Sequence, residues 1–130
     1  MSENKGEREP MKSIQEILDI INHSTGTESY HKFSPIPGFP VITDGVLALA
    51  EAAGCYWLFD IIGSYQSNRK LNKAFQVWSL NVNTENNSAV VRGYNDTTLI
   101  VTQKIPYTDF PPGKVKLYLT HGVILLPSEY

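Results

Sequence analysis

The sequence predicts an α+β fold in which two or three helices pack on one face of a four- to five-stranded, mainly antiparallel sheet. Apolar residues follow helical spacing in the first half of the chain, and a period-two alternation replaces that spacing after Lys73. Helices followed by strands are typical of α+β domains, and short connections between successive strands favour antiparallel pairing. The length of 130 residues fits one domain.

The N-terminal part divides into a charged leader and a first helix. Residues 1–12 are mostly charged or polar, so we expect a disordered leader before a single globular domain over residues 13–130. Ser13 and Glu16 have the spacing of a capping box. The apolar spacing that follows predicts a short amphipathic helix, which ends near Asn22 and must dock on the domain.

A short edge strand and a proline-rich loop are predicted next. Residues 30–33 are the candidate edge strand. Residues 34–40 contain three prolines and a glycine, which excludes a helix or a central strand there. We expect an ordered loop anchored by Ile36 and Phe39.

Two further helices are predicted between residues 43 and 65. Either Thr43 or Asp44 can cap the first of them, and Gly54 is placed to end it in the left-handed conformation. The block 55–62 is apolar except for Asp60, so we expect a buried helix or strand, and we favour a helix that continues to about residue 65.

Alternating strand formers predict four strands in the remainder of the chain, followed by a short apolar segment. The strands are residues 75–82, 89–94, 97–105 and 114–119. The apolar segment covers residues 122–126, and we expect Leu125 and Leu126 to anchor it in the core because exposure of these side chains is costly.

Composition and charge exclude several classes of protein. The formal net charge of −2 argues against a nucleic-acid partner bound by neutralisation of phosphates. A single cysteine excludes a disulfide framework and a cysteine-rich zinc module. The apolar runs are too short to span a bilayer, and the mixed-charge N-terminus is not a signal peptide. We therefore expect a cytoplasmic protein that does not contact membranes.

The sequence contains no motif for a cofactor or a metal. It lacks a phosphate-binding loop and a dinucleotide fingerprint, and His23, His31 and His121 do not have metal-ligand spacing. Cys55 stands among apolar neighbours, which favours an inert core cysteine over a reactive thiol. We expect no cofactor and no metal site.

Asp60 is the most unusual residue because it interrupts an apolar block. A buried carboxylate needs a partner and has a raised pKa, so Asp60 is either a structural aspartate or the acid/base group of a pocket. Asp44 is the second candidate catalytic carboxylate. With Thr43 and Trp57, these two residues form the candidate ligand-binding set, although plain helix capping accounts for Thr43 and Asp44 more simply.

Four sequence blocks together resemble an uncharacterised family of small bacterial proteins found in plasmid, phage or genomic-island contexts. They are residues 43–46 (TDGV), 57–60 (WLFD), 75–80 (FQVWSL) and 125–130 (LLPSEY). That family has no assigned activity, so the resemblance supplies no catalytic residues. It implies a bacterial cytoplasmic setting and an accessory role in a mobile element.

A non-enzymatic module that binds a protein partner or a second copy of itself is the leading functional hypothesis. Low charge and many tyrosines suit protein contact, and the candidate surface comprises Tyr107, Phe110, Tyr118 and Tyr130. The first alternative is a small enzyme with a carboxylate pocket around Asp60 and Asp44.

The second alternative is a nucleic-acid accessory protein. This alternative requires six basic residues to align in space: Arg69, Lys70, Lys73, Lys104, Lys114 and Lys116.

Overall fold

The computed structural model describes residues 14–24, 29–83, 85–110 and 113–130. Its helices are α1 (Ile14–His23), α2 (Asp44–Ala53) and α3 (Tyr56–Ser64), with short 3₁₀ turns at Tyr65–Ser67 and Pro127–Glu129. Its strands are β1 (Val41–Ile42), β2 (Gln76–Val82), β3 (Ala89–Asn95), β4 (Thr98–Ile105), β5 (Gly113–Thr120) and β6 (Val123–Leu125). The expected leader and the Ser13 cap lie outside the described residues.

The α+β class is confirmed, and the sheet is larger than the sequence predicts. Six strands form one mixed sheet in the order β1-β6-β5-β2-β3-β4. The pair β1–β6 is parallel and the other neighbours are antiparallel. The additional strand β1 has only two residues, too few to show an alternating pattern. In place of the predicted strand over residues 30–33, a single bridge joins His31 to Ile42.

The core lies between the helices and one face of the sheet. Along β2 every second residue is buried, from Gln76 through Trp78 and Leu80 to Val82. The same alternation buries Val115, Leu117 and Leu119 of β5, and all of these apolar residues join the core cluster of α2 and α3. Strand residues of the opposite parity therefore point away from the helices.

The ends of α2 follow the sequence prediction. Thr43 is the N-cap, and its hydroxyl accepts a hydrogen bond from the Val46 amide at 3.3 Å. Gly54 has φ 63°, and its amide donates to the Ala50 carbonyl at 2.8 Å. Because a left-handed φ favours glycine, Gly54 stops α2 and lets the chain turn directly into α3.

The packing of α1 and of the proline-rich loop is only partly as expected. Ile17 of α1 is buried, and the Ser128 hydroxyl donates to the Ile21 carbonyl at 2.9 Å, so α1 docks on the domain. In the loop, Phe39 packs against Phe33 with ring centroids 6.2 Å apart. The expectation that Ile36 also anchors the loop is wrong, because this side chain is exposed.

The C-terminal apolar segment is anchored as predicted. Leu126 and Ile124 are fully buried members of the core, and Leu125 is also buried. Leu125 pairs with Tyr118, whose side chain points away from the helices. The segment therefore contributes apolar surface to both sides of the sheet.

Trp78, rather than Trp57, is the central tryptophan of the core. Trp78 is 1% exposed, its indole Nε1 donates to Gln76 Oε1 at 2.8 Å, and its ring covers Gly93. A Cβ atom on Gly93 would lie 2.6 Å from that ring. Trp57 is only half-buried, so the expected burial of the block 55–62 does not hold at this position.

We expect Trp78→Ala to lower the free energy of unfolding by about 3–5 kcal/mol, the range for a large buried aromatic side chain. Trp57→Ala is the matched control and should cost clearly less, because part of this ring already contacts water. Urea denaturation of both variants measures the difference. Equal losses would contradict the assignment of Trp78 as the central residue.

Candidate functional site

The N-terminus of α2 is occupied by the carboxylate of Glu129, a residue far from α2 in sequence. Glu129 Oε1 accepts from the Thr43 hydroxyl at 2.7 Å and from the Leu126 amide at 3.0 Å, and Glu129 Oε2 accepts from the Gly45 amide at 3.1 Å. A Cβ atom on Gly45 would lie 2.7 Å from this carboxyl group, so a larger residue there would push the carboxylate out of its present position. The protein's own side chain thus fills the place where a helix N-terminus could bind an anion.

Thr43 and Asp44 therefore have structural partners at this helix end. Thr43 is buried, and its hydroxyl is used by Glu129 and by the Val46 amide. Asp44 Oδ1 lies 2.7 Å from His31 Nε2 in a half-exposed pair. These contacts favour structural roles over a ligand-binding role, with Thr43 as the helix cap and Asp44 as the partner of His31.

Asp60 is exposed, which contradicts its expected burial. The exposed residues of α3 are Tyr56, Asp60 and Ser64, which follow one another at intervals of four and therefore line one narrow stripe of the helix. The sequence does not reveal this exposed stripe, because Tyr56 reads as one more apolar residue of the block. An exposed carboxylate needs no buried partner, so the reason for regarding Asp60 as a catalytic candidate disappears.

The candidate catalytic residues do not line the cleft that the described residues form. A cleft of about 210 Å³ lies elsewhere, and Asp60, Asp44 and Trp57 do not line it. Its lining residues are Gly38, Pro40, Gln66, Lys73, Leu119, His121 and Gly122. Among the described residues, no group of three His, Cys, Asp or Glu side chains could hold a metal ion.

Cys55 is a core residue. Its side chain is fully buried between α2 and α3, and its thiol lies 3.9 Å from the Leu49 carbonyl. Burial raises the pKa of the Cys55 thiol to about 12 because the thiolate would lose its hydration.

The four candidate interaction residues do not form one surface. Phe110 is buried, which contradicts its assignment to the surface. The sequence did not reveal this burial, because Phe110 follows a run of polar residues. Tyr107 is exposed on the connection between β4 and β5. Tyr118 and Tyr130 do lie together, with ring centroids 5.3 Å apart, and both contact Phe75.

The sheet has an outer face, which we define as the positions of β2, β3, β4 and β5 that point away from the helices. Strand register arranges these positions in three rows that cross all four strands. The row nearest to Phe75 is apolar and aromatic, and it consists of Tyr118, Val77, Tyr94 and Leu99. Each of these side chains is at least partly exposed.

The other two rows of the outer face carry its charges. The middle row is Lys116, Ser79, Arg92 and Thr102, and the last row is Lys114, Asn81, Val90 and Lys104. None of these eight residues is buried, so no described element covers them. The outer face thus presents four cationic side chains next to an aromatic row.

Charge is separated between the two layers of the domain. The four strands of the outer face contain Arg92, Lys104, Lys114 and Lys116 and no Asp or Glu, whereas α1, α2 and α3 contain five acidic residues and no Lys or Arg. The carboxylates adjoining the strands lie in the connecting turns, at Glu85, Asp96 and Asp109. Within the described ranges, no ion pair involves any of the four cations.

The basic loop after α3 joins the same sheet at its aromatic end. The Asn95 side chain donates to the Lys70 carbonyl at 2.7 Å and accepts from the Asn72 amide at 2.7 Å. Arg69 and Lys70 are exposed there, while the Lys73 ammonium donates to the Gln66 carbonyl. Of the six basic residues that a nucleic-acid role was expected to align, only Lys104, Lys114 and Lys116 lie on the outer face, where Arg92 joins them.

We expect Glu129→Gln to lower the free energy of unfolding by about 1–3 kcal/mol, because hydrogen bonds to a charged group are worth about that much. Glu85→Gln is the matched control: the Glu85 side chain is exposed, and this change should stay within about 0.5 kcal/mol. Thermal or urea unfolding measures both. Unchanged stability of Glu129→Gln would show that the carboxylate does not hold the C-terminus.

We expect Cys55 to resist an aromatic disulfide reagent at pH 8 in the folded protein. With a pKa of about 12, only about one thiol in ten thousand is ionised at that pH, and the thiolate is the reactive form. Reaction should become complete in denaturant. Rapid modification without denaturant would contradict the buried placement.

The comparisons with known proteins identify a family and no activity. The model of a family of unknown function, DUF6876, matches residues 15–130, a range that includes all four sequence blocks named above. No curated protein and no solved structure matches the chain. None of the described helices is long and apolar enough to cross a bilayer. Because its family model covers nearly the whole chain, the protein belongs to DUF6876.

Proposed function

We propose that the protein is a non-enzymatic binding module that contacts an acidic macromolecular partner through the outer face of its sheet. The observation that carries this proposal is the separation of charge between the layers. Arg92, Lys104, Lys114 and Lys116 share one exposed face on which no strand position is acidic. The net charge of −2 does not reveal the cationic character of this face, because the helices contain five acidic residues and the face contains four cations.

The outer face is suited to binding because it is formed before the partner arrives. Strand β3 is paired with both β2 and β4, and β5 is paired with β2 from Gly113 to Leu119. Arg92, Lys114 and Lys116 therefore project from a rigid support, and little backbone order must be gained on contact. The cations also lack ion pairs within the part of the chain that is described. A partner's negative groups therefore need not displace an internal carboxylate.

The hypothesis of an enzyme with a carboxylate pocket receives less support. Asp60 is exposed, Asp44 is paired with His31, and the described cleft contains neither of them. General acid/base chemistry by two carboxylates requires that both reach one substrate and have different pKa values. The exposure of Asp60 and the pairing of Asp44 with His31 give no support to such a catalytic pair.

Self-association is a special case of the proposal. Two outer faces cannot stack on each other, because their cations would repel. The outer face of one copy could instead contact the acidic helices of a second copy, and such a head-to-tail contact would extend beyond a dimer. Light scattering at low and high salt separates this case from a different partner, because only self-association raises the mass of the isolated protein at low salt.

We expect Lys116→Glu to weaken retention on a heparin column far more than Lys32→Glu does. Both variants replace an exposed lysine and change the net charge equally, but only Lys116 lies on the outer face. The measurement is the salt concentration at elution, with circular dichroism as the control for folding. Equal elution of the two variants would contradict the assignment of the binding surface.

A further inference from the structure

We infer that the partner of the outer face is a single-stranded nucleic acid, whose phosphates meet the cationic rows and whose bases stack on the aromatic row. This inference rests on the proposed function and names the class of partner. It uses two features together, the charge of two rows and the aromatic character of the third. Neither feature alone would select this partner.

The cations have the spread expected for contacts to several phosphates along one strand. Lys116 and Arg92 stand on β5 and β3, two strand spacings or roughly 10 Å apart. Lys114 and Lys104 stand on β5 and β4, three spacings or roughly 14 Å apart. A set of charges spread over this area fits an extended polyanion better than one small anion.

The aromatic row offers a free ring for stacking. Tyr94 is half-exposed at the edge of the cationic rows, and it makes no ring contact and no hydroxyl hydrogen bond to any described residue. It stands between Val77 and Leu99, and Leu99 is 49% exposed. An unpartnered tyrosine between apolar neighbours is the kind of platform on which unstacked bases bind.

The distance between the rows matches the construction of a nucleotide. Tyr94 and Arg92 are two residues apart on one strand, so their side chains emerge roughly 7 Å apart on the same face. A nucleotide carries its base and its phosphate on opposite sides of one sugar, and can therefore reach both rows at once. An acidic peptide can satisfy the cations, but its carboxylates give Tyr94 nothing to stack on.

Single strands are favoured over duplexes for the same reason. In a duplex the bases are already stacked and paired, so Tyr94 cannot reach a base face without opening the helix. The phosphates of a duplex can still meet the cations. The inference therefore requires that the single strand bind more tightly than a duplex of the same length.

The test is fluorescence anisotropy of a labelled oligothymidylate with the full chain. We expect binding that weakens with salt, with a slope of log K against log salt no steeper than about −2.8 for four phosphate contacts. Lys116→Glu should make that slope shallower. Tyr94→Leu should weaken binding about fivefold or more, the lower bound for loss of one stacked base, whereas Tyr94→Phe should keep it within about twofold.

Tyr30→Leu is the matched control for the ring, because Tyr30 is 62% exposed and lies outside the sheet, and it should leave affinity unchanged. Three results would overturn the inference: no binding of the oligonucleotide, equal binding of a duplex, or equal affinity of Tyr94→Leu and the unmodified protein. A polyglutamate peptide that competes as well as unlabelled oligothymidylate would also overturn it in favour of an acidic protein. If heparin retention still depends on Lys116 in these cases, the proposed function survives and only the class of partner is wrong.

Discussion

The contact between the Glu129 carboxylate and the first turn of α2 is the constraint on which the arrangement of this domain depends. Glu129 is separated in sequence from Gly45 by 84 positions and from Thr43 by 86 positions. The contact therefore holds the C-terminal turn against the start of α2. It also satisfies donors at a helix N-terminus that would otherwise need water or an anion. Glycine at position 45 allows this contact, since a Cβ atom there would displace the Glu129 carboxylate from its present position.

This contact also links the helical layer to the outer face. Glu129 holds the turn Pro127–Glu129 against α2, and the next residue, Tyr130, packs with Phe75 and Tyr118 at the aromatic end of the sheet. Glu129 thus contacts the helical layer, whereas the adjacent Tyr130 packs against the aromatic end of the sheet. The helix cap thus fixes the chain directly before Tyr130, whose ring packs against Tyr118 of the outer face.

Features set by neighbouring residues could be predicted from the sequence, whereas features set by long-range pairing could not. The Thr43 cap, the Gly54 stop and the antiparallel strands were accessible because capping preference, left-handed glycine and alternation are local properties. The Glu129 contact was not accessible, because no local pattern places a carboxylate near a helix so distant in sequence. Asp60 was misjudged because burial depends on which face of a helix a residue occupies, and the apolar block contained Tyr56 on the exposed stripe.

The outer face shows why the net charge of a chain is a poor guide to the charge of one of its surfaces. Coulomb interactions with a partner in contact are dominated by charges within roughly 8–10 Å at physiological salt, and acidic residues on the far side of the domain contribute little at that range. Lys104, Lys114 and Lys116 were visible in the sequence, but only the strand register places them with Arg92 on one face and beside Tyr94. Because alternation directs the apolar residues of the same strands into the core, the cations are confined to the outer face by the same pattern that builds the sheet. Folding and charge separation are thus two results of one period-two sequence, and the proposed binding surface needs no further element to present it.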